Sequence, residues 1–354
     1  MYKRQVLIIG GGIAGISAAA RIAPHAQVTV LEMEDALGYH ASGRSAALFE
    51  ENYGNSAIKA LNRASAAFHQ PYLSPRGFML LGRAGEDDGF DADLTALATT
   101  EISVAEARQI IPILNIQITR AAYHKSAQDI DTDRMIQDFA KTVRGHGGSI
   151  LTGALVDQIS YSDQRWTVRC GGQDHQAETL INAAGAWADQ VAARAGINRI
   201  GITPFRRSMA RIPAPGGHDV SGWPIFFGVG ETWYAKPDAG KLLVSPADED
   251  ATDPHDAWAD DMVLAEGLDR YSQHVTEPVT RLETSWAGLR SFAPDRSLVL
   301  GRDVQNPAFV WCAGQGGYGF QTAPAASQLI ADITLGRPSD LDAPTCAALS
   351  PDRF

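Results

Sequence analysis

At 354 residues, 45% of them hydrophobic, the chain is long enough for two domains around a well-formed core. A formal net charge of −11 disfavours nonspecific nucleic-acid binding, and Cys170, Cys312 and Cys346 are an odd set without metal-like spacing, so neither a disulfide framework nor a bound metal is expected. No uninterrupted apolar run reaches the roughly 18 residues of a transmembrane helix. MYKRQVLIIGGG starts like a signal peptide, but its apolar run reads as the first strand of a nucleotide fold, so a cytoplasmic protein is expected.

QVLII is a short apolar strand, and GGGIAG follows it. Gly10 allows a tight turn off the strand, Gly12 leaves room for a pyrophosphate, and Gly15 lets a helix over about 13–23 pack close to the sheet. The N-terminus of that helix, at Ile13 and Ala14, offers free backbone N–H groups to phosphates. The next strand, VTVLEM, carries Glu32, placed to accept from a ribose 2′-hydroxyl. This order specifies a dinucleotide site and disfavours a 2′-phosphate. By itself it does not separate NAD from FAD.

ALGYHASGRSAALFEENYGN, residues 36–55, is a polar loop entering a helix over 56–70, and GFMLLG reads as a strand. GRAGEDDGFDAD reads as a polar surface loop with solvated acids. A short helix follows at 103–110, and 112–127 reads as mostly irregular. Residues 129–148 form a helix capped by Asp131 or Thr132. The runs at 150–160, 165–170 and 177–182 are strands, the last entering a turn at Ala184–Gly185 and another helix. From about residue 200, RRSMARI, PIFFGV, TWYAKP and KLLVSP read as an antiparallel sheet. An amphipathic helix over 258–275 precedes WAGLRSFAPDRSLVLG, which leads through a loop to a strand. PAFVWCAG is the last strand before GQGGYGFQT, and a helix spans about 322–335.

The strings GYHASGRSAA, DIDTD, NAAGAWAD, KPDAG, WAGLRSF and GQGGYGFQT occur in an order that resembles the glycine oxidase, sarcosine oxidase and D-amino acid oxidase superfamily of FAD enzymes. Bacterial D-arginine dehydrogenases are the branch most resembled. The resemblance covers essentially the whole chain. It implies an α/β fold: a doubly wound, Rossmann-like FAD domain interleaved with an antiparallel-sheet substrate domain. Residues 1–75, 129–200 and 291–354 would form the first, and 76–128 and 201–290 the second.

By resemblance, Gly10, Gly12, Gly15 and Glu32 bind the ADP part of FAD, and Arg44, Ser45 and Ala46 run along flavin and pyrophosphate. Gly314, Gly316, Gly317, Tyr318 and Gly319 bring backbone around the isoalloxazine. Helix polarity near Gln321 and Thr322 favours negative charge there. Cys312, in a strand, reads as packed, so noncovalent FAD is expected. Arg290 is the best carboxylate clamp, because a guanidinium grips a carboxylate with two parallel hydrogen bonds. Arg207 is its partner, Tyr53 and Tyr234 position the substrate, and Gln321 stands at the rim. His40 reads as a loop residue near the cofactor rather than a base.

Three positions depart from the dehydrogenase pattern. Phe78 replaces an acid that holds a cationic tail, Leu48 replaces a histidine, and Glu50 replaces a small hydroxyl residue. The expected substrates are therefore neutral or hydrophobic D-amino acids, with Glu50 able to restore a cation site if it points inward. The expected partners are an amino acid and a quinone or other electron acceptor, for a monomer or weak homo-oligomer. The rivals are an oxygen-using oxidase of glycine, sarcosine or another secondary amine, and a flavin-binding subunit without turnover.

Overall fold

The computed structural model describes residues 4–354, so the first three residues of the signal-like start lie outside it. Six strands form the central sheet, in the order Val299–Arg302, Phe309–Ala313, Thr179–Asn182, Gln5–Ile9, Gln27–Leu31 and Ser149–Leu151. All neighbours are parallel except the first pair. Helices Ile13–Ile22, Thr132–Gly145 and Gly319–Leu335 cover one face, where Ile8, Ile16, Val30, Phe139 and Ile330 pack together. A three-stranded antiparallel meander, Val156–Ser162, Arg165–Cys170 and Gln173–Ala177, covers the other face with Trp166 and Val168. Burial on both faces explains why these central strands read as continuous apolar runs.

The second sheet is larger. Thr203–Ile212 pairs with Thr284–Phe292, Lys241–Ser245 and Asp250–Ala251. The sheet continues through Tyr234–Asp238, Ile225–Gly228, Phe78–Arg83, Ile118–His124 and Thr100–Ile102. It is mixed rather than purely antiparallel: Ile225–Gly228 runs parallel to Phe78–Arg83, with Ile225 opposite Phe78. Those two strands come from distant parts of the chain, so no hairpin dictates their direction.

Other expectations are corrected. The supposed surface loop at 82–93 contains the start of the helix Asp87–Ala96. Asp87 and Asp88 stand in its first turn, where they complement the helix dipole, and Phe90 is fully buried. Residues 118–124, expected to be irregular, form a strand because Phe78–Arg83 and Thr100–Ile102 pair with it on either side. WAGLRSF lies inside the nine-residue strand Thr284–Phe292. The 150–160 run is two strands broken by Gly153, whose φ is +63°. The helix expected at 322–335 starts at Gly319, and the one expected at 258–275 covers only Asp261–Ser272. Helix Ala343–Leu349 was not foreseen. Asp131 does cap its helix, accepting from the Arg134 N–H at 3.1 Å.

Candidate active site

The two sheets meet over two adjoining cavities of about 240 and 150 Å³. Gly12, Ser42, Arg44, Ala183, Gly185 and Gly288 line both, which makes one long channel between the sheets.

The smaller cavity is built by the first strand–turn–helix. Gly10 has φ +107°, and a Cβ there would stand 2.3 Å from the Ala183 carbonyl oxygen. A Cβ on Gly15 would stand 1.9 Å from the Gly10 oxygen, so Gly15 supports the turn from behind and lines neither cavity. Gly12 differs: its Cβ would meet only Ser42 Oγ, at 3.2 Å. Ile13 N–H donates to that same oxygen at 3.0 Å, and Ala14 lies beside it on the wall of the larger cavity. Glu32 is buried; its two oxygens accept from Gly11 N–H at 2.6 Å and Glu34 N–H at 2.9 Å. These bonds hold the carboxylate at the cavity wall beside Gly10 and Met33. Ala184 lines this end, and a Cβ on Gly185 would meet nothing within 4 Å. His40 also lies here, with Nε2 2.9 Å from Glu34 Oε1.

Arg44, Ser45 and Ala46 line the larger cavity. The Arg44 guanidinium is committed to protein, donating to the Ala257 and Ala287 carbonyls at 2.9 Å each and to Asp256 at 2.5 Å. Lys236 pins the next turn: it is 9% exposed, donates to the Ala46 and Ala47 carbonyls, and pairs with Asp129 at 2.9 Å.

The lining of the larger cavity brings together Tyr53, Arg207, Tyr234, Arg290 and Gln321, although they come from five separate segments. Arg207 and Arg290 lie on the paired strands Thr203–Ile212 and Thr284–Phe292. Burial, then the neighbouring Arg290 charge, hold the Arg207 pKa below its ordinary value. Burial also opposes the charge on Arg290, but Tyr53, Tyr234 and Glu231 outweigh it and hold that pKa high. Arg290 packs on backbone: a Cβ on Gly317 would sit 3.0 Å from its Nη1. Gly316, with φ +51°, packs under Phe292, and Gly319 begins the last long helix.

Gly314 and Thr322 line neither cavity. Gly314 turns the chain at φ +74° against Ser297, and the Thr322 hydroxyl donates to the Tyr318 carbonyl at 2.8 Å. Tyr318 faces a third, polar cavity of about 210 Å³ that shares Tyr53, Arg207, Glu231 and Arg290 with the larger one.

Leu48, Glu50 and Phe78 all line the larger cavity, together with Met209, Ile225 and Phe227. Glu50 is 5% exposed and belongs to the cavity lining. Its Oε1 accepts from Asn52 N–H at 2.9 Å, and its Oε2 lies 3.2 Å from His124 Nε2. Burial raises its pKa, against the pull of Asn52 and His124.

Sequence reasoning missed Glu231, Lys236 and Ser291. Glu231 accepts from the Tyr53 hydroxyl at 3.2 Å, and burial pushes its pKa up despite Arg290 and Arg207. Its φ of +51° follows Gly230 at +68°, and the glycine spacing of GVGE was the available signal. Lys236 stood in the quoted string KPDAG. Ser291 Oγ and Gln321 Nε2 are buried, line the larger cavity and have no protein partner. Unpaired buried polar atoms are costly, so these two suit a polar group in the channel.

Residues 5–333 match the family model for FAD dependent oxidoreductase, DAO. The chain belongs to this family. A glycine oxidase from Bacillus licheniformis is 22% identical over 96% of this chain and 95% of its own length. Among solved structures, L-proline dehydrogenase from P. horikoshii superposes with a TM-score of 0.84 at 22% identity, covering 99% of this chain and 98% of its own. Glycine oxidase from Geobacillus kaustophilus superposes with a TM-score of 0.83 at 20% identity, covering 99% of each chain. This DAO-family oxidoreductase therefore uses FAD, and its fold is the α/β architecture with mixed sheets that these structures share.

The channel suits that cofactor. Gly12 and Glu32 would take the ADP end; the turn at Arg44–Ala46, Gly185 and the helix start at Gly319 would take the flavin end. The start of that helix favours negative charge on a bound ring.

Proposed function

We propose that this enzyme oxidatively deaminates D-amino acids with neutral or hydrophobic side chains, giving 2-oxo acids and ammonia. One observation carries the reading. Two arginines and two tyrosines line one cavity together with the apolar side chains Leu48, Phe78, Met209, Ile225 and Phe227; Phe227 is the cross-strand neighbour of Tyr234, and Met209 lies two residues along the strand from Arg207. Arg290, with Arg207 beside it, grips the carboxylate; Tyr53 and Tyr234 fix its plane; the apolar wall receives the side chain. FAD, when bound, would supply the two-electron acceptor for the hydride leaving the substrate α-carbon. The residues around it orient the substrate and exclude bulk water. The imino acid product hydrolyses in solution, so no protein nucleophile is needed.

The D configuration and the dehydrogenase assignment rest on the resemblance in GYHASGRSAA, DIDTD and KPDAG, which points to the D-arginine dehydrogenase branch. Phe78 in place of an acid turns the preference away from arginine. Electrons then pass to a quinone or another acceptor. Noncovalent attachment of FAD is supported by Cys312, which is buried and lines neither cavity. We assign the protein to the cytoplasm, as expected from its sequence, and, because its core is large enough to need no partner, as a monomer or weak homo-oligomer; no helix among the described residues is long and apolar enough to cross a membrane.

The second reading is an oxidase of glycine, sarcosine or another secondary amine, favoured by the whole-length likeness to glycine oxidases. Anaerobic flavin bleaching with D- and L-amino acids, glycine and sarcosine separates the two. Bleaching by neutral D-amino acids supports the first reading, and admitting air then distinguishes oxidase from dehydrogenase. Bleaching only by N-substituted amines assigns the second.

A further inference from the structure

The larger cavity ends in a feature that neither clamp nor cofactor uses. Glu50 is an acid in the cavity lining, 5% exposed, among the apolar lining residues Leu48 and Phe78. Its side-chain partner is His124, 3.2 Å away, whose ring stacks on Phe78 with centroids 5.1 Å apart and planes at 21°. His124 itself does not line the cavity, so its contact with a substrate is screened by Phe78. The Glu50 backbone is fixed as well. Its N–H donates to Gln321 Oε1 at 3.4 Å, and its carbonyl accepts from Tyr53 N–H at 3.2 Å and Asn62 Nδ2 at 3.3 Å. The carboxylate is thus held by the same short segment that carries Tyr53.

A buried carboxylate stays in a cavity wall when something bonds to it. Asn52 N–H and His124 each take one position on a different oxygen of the carboxyl group, and a carboxylate has further acceptor capacity, so a substrate donor that reaches it can still bond there. A neutral N–H or O–H donor adds a hydrogen bond to a charged acceptor without adding charge, and such bonds are the stronger kind.

We propose that Glu50 is a specificity-determining residue, a subsite for neutral D-amino acids whose side chains end in a hydrogen-bond donor, such as a carboxamide or hydroxyl. This rests on the D-amino acid reading above. His124 acts through Glu50: its ring, stacked on Phe78, positions the carboxyl group.

Near-isosteric substrates isolate the effect. For the holoenzyme, kcat/KM is measured for D-glutamine against D-methionine, and for D-asparagine against D-leucine. In Glu50→Leu the amide-to-apolar ratio should fall about tenfold to a hundredfold, the usual range for losing a hydrogen bond to a charged partner. In Glu50→Gln, which keeps an acceptor, the ratio should fall by less. His124→Phe keeps a ring against Phe78 but removes the partner that positions Glu50 Oε2, so the D-glutamine to D-methionine ratio should fall, by less than in Glu50→Leu. The bound-flavin spectrum shows whether each variant is folded, and Glu50→Gln carries the test if Glu50→Leu is not. An unchanged ratio in every folded variant overturns the subsite. A wild type bleached by no D-amino acid overturns the underlying function instead; the same amide and apolar pairs, in the form that does bleach it, then read Glu50 alone.

Discussion

The Tyr53 hydroxyl donates to Glu231 Oε2 at 3.2 Å, joining the loop before helix Ser56–His69 to the turn between strands Ile225–Gly228 and Tyr234–Asp238 across 178 residues of sequence. The bond places a resident carboxylate beside the two arginines expected to grip a substrate carboxylate. With Arg207, Arg290 and Arg296 facing Glu231 and Glu249 around the polar cavity, the cluster carries one more cation than anion when both acids are ionised. A single substrate carboxylate would balance it.

The clamp is tested first by Arg290→Met. The variant should keep its flavin and lose about 2–4 kcal/mol of transition-state binding, a fall of roughly 30- to 1000-fold in kcat/KM. Arg290→Lys should recover only part of this, because an ammonium cannot make the paired bonds. Steady-state kinetics on flavin-loaded enzyme reads both. An Arg290→Met variant with wild-type kcat/KM would remove Arg290 from the clamp.

Two glycines that look alike in sequence should fail differently. In Gly15→Ala the new methyl meets the Gly10 carbonyl, at 1.9 Å before relaxation, and should destabilise the protein by at least about 1–3 kcal/mol even without FAD. In Gly12→Ala it meets only Ser42 Oγ, so the apoprotein should melt near the wild-type temperature while FAD binds more weakly. Melting curves with and without FAD separate the outcomes, and equal loss of apoprotein stability in both variants would contradict the assignment.

Glu50 makes stability depend on pH with a definite sign. Burial first, against its hydrogen-bonded neighbours, raises its pKa above the ordinary value of 4.5. The folded state therefore holds this proton more tightly than the unfolded state. Stability from Glu50 is full below pH 4.5 and is lost as pH rises through the folded pKa. Relative to Glu50→Gln, the wild type should lose melting temperature as pH climbs from about 4.5 to neutrality. A constant difference between the two over that range would show that Glu50 is not perturbed.

Cys312 should be chemically silent. Burial pushes its thiol up to about 12, so alkylating reagents at neutral pH should not label it in the folded protein. Acid precipitation should release all the flavin as free FAD, and Cys312→Ser should remain yellow after the same purification. Flavin retained in the acid pellet would argue for a covalent link.

The amino-acid sequence by itself determined the nucleotide half of this protein. The order of strand, glycine turn, helix, strand and acid over residues 5–32 depends on local backbone chemistry, and local chemistry is visible in a string. In the second sheet, RRSMARI, PIFFGV, TWYAKP and KLLVSP were legible as strands, but tertiary structure decided their partners and the rest of the sheet. Ile118–His124 carries no strong strand pattern and becomes a strand because two neighbours pair with it. The acids of 82–93 read as solvated until Phe90 is seen to anchor their helix. Glu50 was ambiguous in sequence because its direction is set by Asn52, His124 and Gln321, the last of them 271 residues away. Glu231 was invisible for the same reason: a carboxylate acquires its role from the arginines around it, and those arrive only when the second sheet closes over the first.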